Sequence, residues 1–229
     1  MEEEIFQTKI KISKFWLMLY NCFTIFLCLF ILNRFHMEGT EIKGKNVYEI
    51  EETRIRSLFV LCEASSFMEF IHHFIGFQKM RKHIFINIFV YNWILFGVID
   101  FYPANSFVVP WIVLRCLSKI IRHFYNAYLA MDLRFEVYWI DYIRMTSYYV
   151  FYTVEYLYTL ILVQITMPKV KLERPWSFDM PNSLNFNFDY RIIYFLYICV
   201  SIPNFIDTFI YLHRKRKEWL DYYVHHKSD

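Results

Sequence analysis

The stretch YYVFYTVEYLYT sets Tyr148, Tyr152, Glu155 and Thr159 at steps of four, three and four residues. In a helix those steps fall on one narrow stripe. A carboxylate can take up a proton, and a tyrosine hydroxyl can donate or orient one. One carboxylate flanked by tyrosines is therefore a candidate for acid and base work. It has a structural reading too, as the ion-pair partner of Arg122 or Lys119 across a helical bundle. Ionisable groups in spanning helices are costly, about 2.5–3.5 kcal/mol each on insertion scales, and they face a bundle interior or a wet cavity.

The surrounding chain explains why cost is the issue. Of 229 residues 57% are hydrophobic and only four are glycine, with the apolar residues gathered into blocks. That excludes an ordinary soluble domain. Six blocks are long and apolar enough to suggest spans, at about 15–33, 57–77, 84–101, 107–131, 138–166 and 190–212. The expected fold class is all-α: a polytopic membrane protein, one domain over residues 1–229, built as a six-transmembrane-helix bundle. Polar connections are expected over 34–56 and 167–189, the second holding three prolines. The first block reads as a retained span, since it lacks a small-residue cleavage site. Both termini are expected to be cytoplasmic, because that side then collects the basic tail HRKRK. Beside a membrane segment that tail points to lipid, and nucleic acid is not expected as a partner.

Further ionisable residues fall inside the blocks: Glu63, Glu69, His72, His73, Arg115, Lys119, Arg122, His123, Arg144 and Asp207. Together they imply a polar interior site. Glu69 and His72 are three residues apart, but no matching ligands are evident, so a hydrogen-bonded histidine is expected and no metal. Arg115 and Arg134 lie near block ends, and for them snorkelling to headgroups is the structural alternative. CLSKIIR (116–122) fits the Cys-x5-Arg spacing of tyrosine phosphatases, yet it lies in a continuous apolar block without glycine. Helical N–H groups there are already used and cannot cradle phosphate. The five cysteines lack metal-ligand spacing and read as packing residues.

Several motifs in order carry a resemblance. KFWLMLYN opens the first block, FMEFIHHFIGF matches a Leu-Glu-x-x-His-x-x-x-Gly pattern through Glu69, His72 and Gly76, and LSKIIRHFYNA follows in the fourth. YWIDYIR, MPNSLNFNFDY and SIPNFIDTFIYLHRKRK complete the set. The chain resembles the very-long-chain 3-hydroxyacyl-CoA dehydratases, also called protein tyrosine phosphatase-like proteins, over nearly its whole length. The resemblance implies six spans in the endoplasmic reticulum membrane and the third step of fatty-acid elongation. A long-chain 3-hydroxyacyl-CoA would lose water to give the trans-2-enoyl-CoA, with no cofactor. The implied partners are the elongation condensing enzyme and reductases.

The family pattern Tyr-Pro-x-Gly-x-x-x-Glu implies a tyrosine and a glutamate seven residues apart on one helix, about 10 Å along its axis. Ungapped alignment on Tyr138, Trp139 and Arg144 puts the tyrosine at Tyr152 but replaces the glutamate by Thr159, which cannot act as a base. Lys119 likewise stands where the family has a glutamate. Three readings stay open: Tyr148 with Glu155, which keeps the seven-residue spacing one turn earlier; Tyr152 with Glu155 at shorter range; or a silent site with Glu155 in a salt bridge. Glu69 or Glu63 could also supply the base from another helix. His72, Arg122, Tyr125 and Arg144 are candidate supporting or substrate-binding residues. The alternative function is a catalytically inactive membrane scaffold for elongation enzymes or other membrane proteins.

Overall fold

The computed structural model describes residues 2–41, 47–77, 82–99, 107–131, 138–177 and 188–226. They form α1 (Glu2–Glu41), α2 (Val47–Ala64), α3 (Met68–Phe74), α4 (Lys82–Gly97), α5 (Val108–Ala130), α6 (Tyr138–Glu173) and α7 (Arg191–His226). A 3₁₀ turn over Ser65–Phe67 joins α2 to α3, so the all-α fold consists of six rods. α1 packs on α5 and α2, α5 on α6, and α6 on α7, while α4 bridges α7 and α2. The rods thus close into a ring, and every rod presents one face to a shared interior.

Polarity is distributed inside out. On α1, Phe15, Leu19, Phe23, Phe26 and Leu29 point outward, while Tyr20, Asn21 and Thr24 are buried with Leu27, Cys28 and Ile31. Several buried threonine hydroxyls turn back on the carbonyls of their own helices, as Thr24 does to Tyr20 (3.0 Å) and Thr208 to Asn204 (2.7 Å). An apolar exterior around a polar interior is what lipid selects, because it supplies no hydrogen bonds.

By length and composition, three helices among the described residues can cross a membrane: Ser13–Met37, Tyr138–Glu173 and Arg191–Tyr222. Of the six expected spans, length and composition thus support three clearly. α4 is apolar but short at 16 residues. α2–α3 and α5 carry the interior charges, which lowers their mean hydropathy. The rods also outrun the expected blocks, since α1 and α2 cover most of 34–56 and α6 continues to Glu173.

Two glycines have definite tasks. Gly76 takes φ +81° and ends α3. Its N–H reaches the His73 carbonyl (3.0 Å) and the Phe77 N–H reaches that of His72 (2.8 Å), the paired bonds of a Schellman cap. Gly97 lets α4 meet α7. There the Tyr194 hydroxyl donates to the Gly97 carbonyl (2.8 Å), and Trp93 Nε1 donates to the Tyr190 hydroxyl (2.9 Å). Just before α7, Asp189 accepts from the Arg191 backbone N–H (2.9 Å) and Nε (2.8 Å). Those hydrogen bonds hold its carboxyl down at about 2. A Cβ on Gly97 would lie 2.3 Å from the Tyr190 hydroxyl and 2.7 Å from Trp93 Nε1. Gly97→Ala is therefore expected to break that bond and destabilise the protein by about 1–3 kcal/mol, read as an earlier thermal transition in detergent.

Candidate active site

α5 carries three cations at i, i+4 and i+7, and each meets a carboxylate. Arg115 forks onto Glu63 of α2, Nε to Oε1 and Nη2 to Oε2, both 3.1 Å. Its remaining nitrogen, Nη1, donates to Glu155 Oε1 of α6 (3.2 Å). The guanidinium lies 3.5 Å from the centroid of the Tyr91 ring of α4, so one side chain ties four helices together. Lys119 pairs with Glu63 Oε1 (3.0 Å) and also donates to the Cys62 carbonyl (2.7 Å) and the Ser66 hydroxyl (3.0 Å). Arg122 pairs with Glu69 of α3. The 3₁₀ turn after Ala64 has a local cause, because Ser65 Oγ also donates to the Cys62 carbonyl (2.8 Å) and draws it out of the regular ladder.

This decides two of the alternatives. Glu155 pairs with neither Arg122 nor Lys119, and Arg115 does not snorkel, because both of its partners lie inside the ring. Among the remaining interior candidates, Asp207 and His73 face outward instead. Arg134 lies outside the described residues.

The α6 stripe faces inward at Tyr152, Glu155 and Thr159, which are 3%, 0% and 1% exposed. The Tyr148 backbone continues the same helix, but its side chain lies outside the described residues. Thr159 accepts from Trp111 Nε1 (2.7 Å) and donates to the Glu155 carbonyl (2.8 Å), so its hydroxyl is fully engaged. Glu155 Oε2 is buried with no hydrogen-bond partner among the described residues. That distinguishes it from Glu63, whose two oxygens take three cationic contacts. Tyr152 and Thr159 line a small cavity between α4, α6 and α7, of about 10 Å³, enough for one water.

The other candidates form two groups. His72 Nε2 accepts from Trp16 Nε1 (2.9 Å), and its ring packs edge-on against Tyr20 at 4.8 Å. It is a hydrogen-bonded interior histidine, near the Glu69–Arg122 pair. Among the described residues no three His, Cys, Asp or Glu side chains are grouped to hold a metal. Tyr125 and Arg144 meet at the far end of α5 and α6, the guanidinium 5.6 Å from the ring centroid. Eleven residues separate Arg144 from Glu155, about 16 Å along the helix, so this group does not share the Glu155 centre. Cys116 and Arg122 lie within the continuous helix α5, which offers no phosphate cradle.

The model of the protein tyrosine phosphatase-like family PTPLA matches residues 63–222. The chain belongs to this family. It is similar to the very-long-chain (3R)-3-hydroxyacyl-CoA dehydratase PASTICCINO 2 of Arabidopsis thaliana, 23% identical over 77% of this chain and 79% of that protein. It is also similar to the very-long-chain (3R)-3-hydroxyacyl-CoA dehydratase 2 of Mus musculus, 28% identical over 53% of this chain and 46% of that protein, and to its Homo sapiens counterpart at the same values. The match spans about half the length of these two mammalian relatives. No solved structure matches.

Sequence reasoning passed over Tyr91, Trp111 and the α7 residues lining the cavity. A signal for the last was present: Tyr197, Ser201, Asn204 and Thr208 repeat the four-three-four spacing of the α6 stripe. Removing one member of a buried ion cluster leaves its partner uncompensated, at a cost of about 3–5 kcal/mol. Glu63→Gln is accordingly expected to destabilise the bundle by about that amount, measured by thermal unfolding in detergent, with Asp207→Asn as an outward-facing control that changes little.

Proposed function

We propose that this protein is a membrane-embedded 3-hydroxyacyl-CoA dehydratase whose base is Glu155 and whose acid is Tyr152. The observation that carries the reading is the unpartnered Oε2 of Glu155, one helical turn from a tyrosine that lines a polar cavity. Family membership and the names of the relatives supply the substrate class, a very-long-chain (3R)-3-hydroxyacyl-CoA.

In this reading the C2–H bond beside the thioester breaks and its proton passes to Glu155 Oε2. The electron pair forms the C2–C3 double bond, and the C3–O bond breaks. The departing hydroxyl takes the Tyr152 proton and leaves as water. The Tyr152 phenolate then recovers a proton from the Glu155 carboxylic acid, three residues away on the same face, which restores the pair. Arg115 holds Oε1 and so aims Oε2. The chemistry uses no metal or redox group. The chain is placed by the same reading in the endoplasmic reticulum membrane, with six spans and cytoplasmic termini, beside the condensing enzyme and reductases of elongation.

A second reading is favoured by the Arg115–Glu155 ion pair and by Thr159, which Trp111 occupies: a scaffold that keeps the family frame without turnover. Reconstituted protein given a long-chain 3-hydroxyacyl-CoA separates the two. Formation of the trans-2-enoyl-CoA that falls at least about a hundredfold in Glu155→Gln, with the fold retained, is the expected result. Turnover that survives in the variant moves the base to Glu69 or Glu63. Absence of turnover in the wild type, beside an active relative assayed in parallel, establishes the scaffold.

A further inference from the structure

The cavity between α4, α6 and α7 holds more polar groups than an acid and base pair requires. Besides Tyr152 and Thr159 it is lined by Tyr156, Tyr197 and Ser201. All three are buried, at 9%, 6% and 3% exposure. Their hydroxyls find no hydrogen-bond partner among the described residues. Ser201 lies beside both tyrosine hydroxyls, so the three form one cluster with no partner outside it among the described residues. Three hydroxyls with no partner beyond one another are expensive to keep in a membrane interior, because they forfeit water for at most a shared contact. Asn87 and Asn204, also on the lining, satisfy each other (2.8 Å) and so do not explain the excess.

The lining fixes the class of occupant. None of the nine lining residues is a carboxylate, amine, guanidinium or imidazole, so a phosphate or carboxylate would enter unneutralised. A volume of about 10 Å³ admits a single oxygen-sized group, and such a group needs two to four polar contacts. Pro203, two residues beyond Ser201 within α7, lacks an N–H and leaves the Cys199 carbonyl without its helical donor. The helix is thus weakest beside the cavity, where an entering ligand needs it to yield.

We infer that this cavity is the subsite for the oxygen on C3 of the substrate, with the Tyr197 and Ser201 hydroxyls binding the 3-hydroxyl and then the water it becomes. The inference rests on the dehydratase reading for its substrate, and it adds binding residues on α7 to the pair on α6. Because Tyr152 lines the same cavity, an oxygen held there sits beside the proposed proton donor.

The test measures binding, which separates this inference from turnover. Full-length protein carrying Glu155→Gln, so that ligand is not consumed, is titrated with (3R)-3-hydroxystearoyl-CoA and with stearoyl-CoA, which lacks only the hydroxyl. The parent is expected to prefer the hydroxylated ligand about tenfold, the worth of one or two neutral hydrogen bonds. Adding Tyr197→Phe and Ser201→Ala should abolish that preference while leaving stearoyl-CoA affinity unchanged, which also reports an intact fold. The same preference in both proteins, no preference in the parent, or an equal loss for both ligands overturns the subsite. Failure of the dehydratase reading shows separately, as a wild type that does not turn over. A hydroxyl preference that depends on Tyr197 and Ser201 would then stand for a binding protein of the same ligand class.

Discussion

Neutralising charge without water is the constraint on which the bundle depends. The three cations of α5 would each resist burial alone, and the carboxylates of α2, α3 and α6 would do the same. They enter the interior together, three against three. Arg115 is central because its guanidinium has donors in a fixed planar fork. Two nitrogens hold Glu63, the third turns to Glu155, and the flat face rests on Tyr91. A lysine at that position could serve one carboxylate well but could not join α2 to α6 across α5.

The same arrangement prepares the candidate site. A carboxylate fixed through one oxygen has the other left in a defined direction, and Glu155 meets that condition where Glu63 does not. The α6 and α7 stripes face each other through Phe205, which stacks on Tyr156 at 4.1 Å and on Tyr152 at 5.8 Å. Aromatic packing therefore sets the height of the α6 stripe against the hydroxyls of α7. The ion pair engages one oxygen of Glu155 and leaves the other unpartnered, so a structural role is compatible with the proposed base.

Fold class and the interior position of most charges were legible in the sequence, because block length and the expense of burial both act locally along the chain. The pairing was not. With α5 read alone, Arg115 fits an interior charge and a headgroup anchor equally, since nothing within the helix reveals that Glu63 and Glu155 stand at its height. Asp207 looked interior for the opposite reason. Its block is apolar, but its angular position faces out, which the neighbouring buried residues Asn204 and Thr208 could have revealed. Spans are least clear where apolar length and interior charge conflict, as in α2–α3 and α5. The α7 stripe had the same spacing as the α6 stripe yet lacked an ionisable residue to draw attention to it.

Arg115 and Glu63 lie 52 positions apart, with the carboxylate first. During synthesis Glu63 and Glu69 are therefore made well before their counter-ions, while Glu155 follows them. Until α5 emerges, α2 and α3 carry two carboxylates that cannot settle in lipid as charged groups. They have to wait in a hydrated surrounding or hold protons, and the arrival of α5 releases them from that choice. The order of residues along the chain is thus also a timetable, in which the fourth rod licenses the second to leave water.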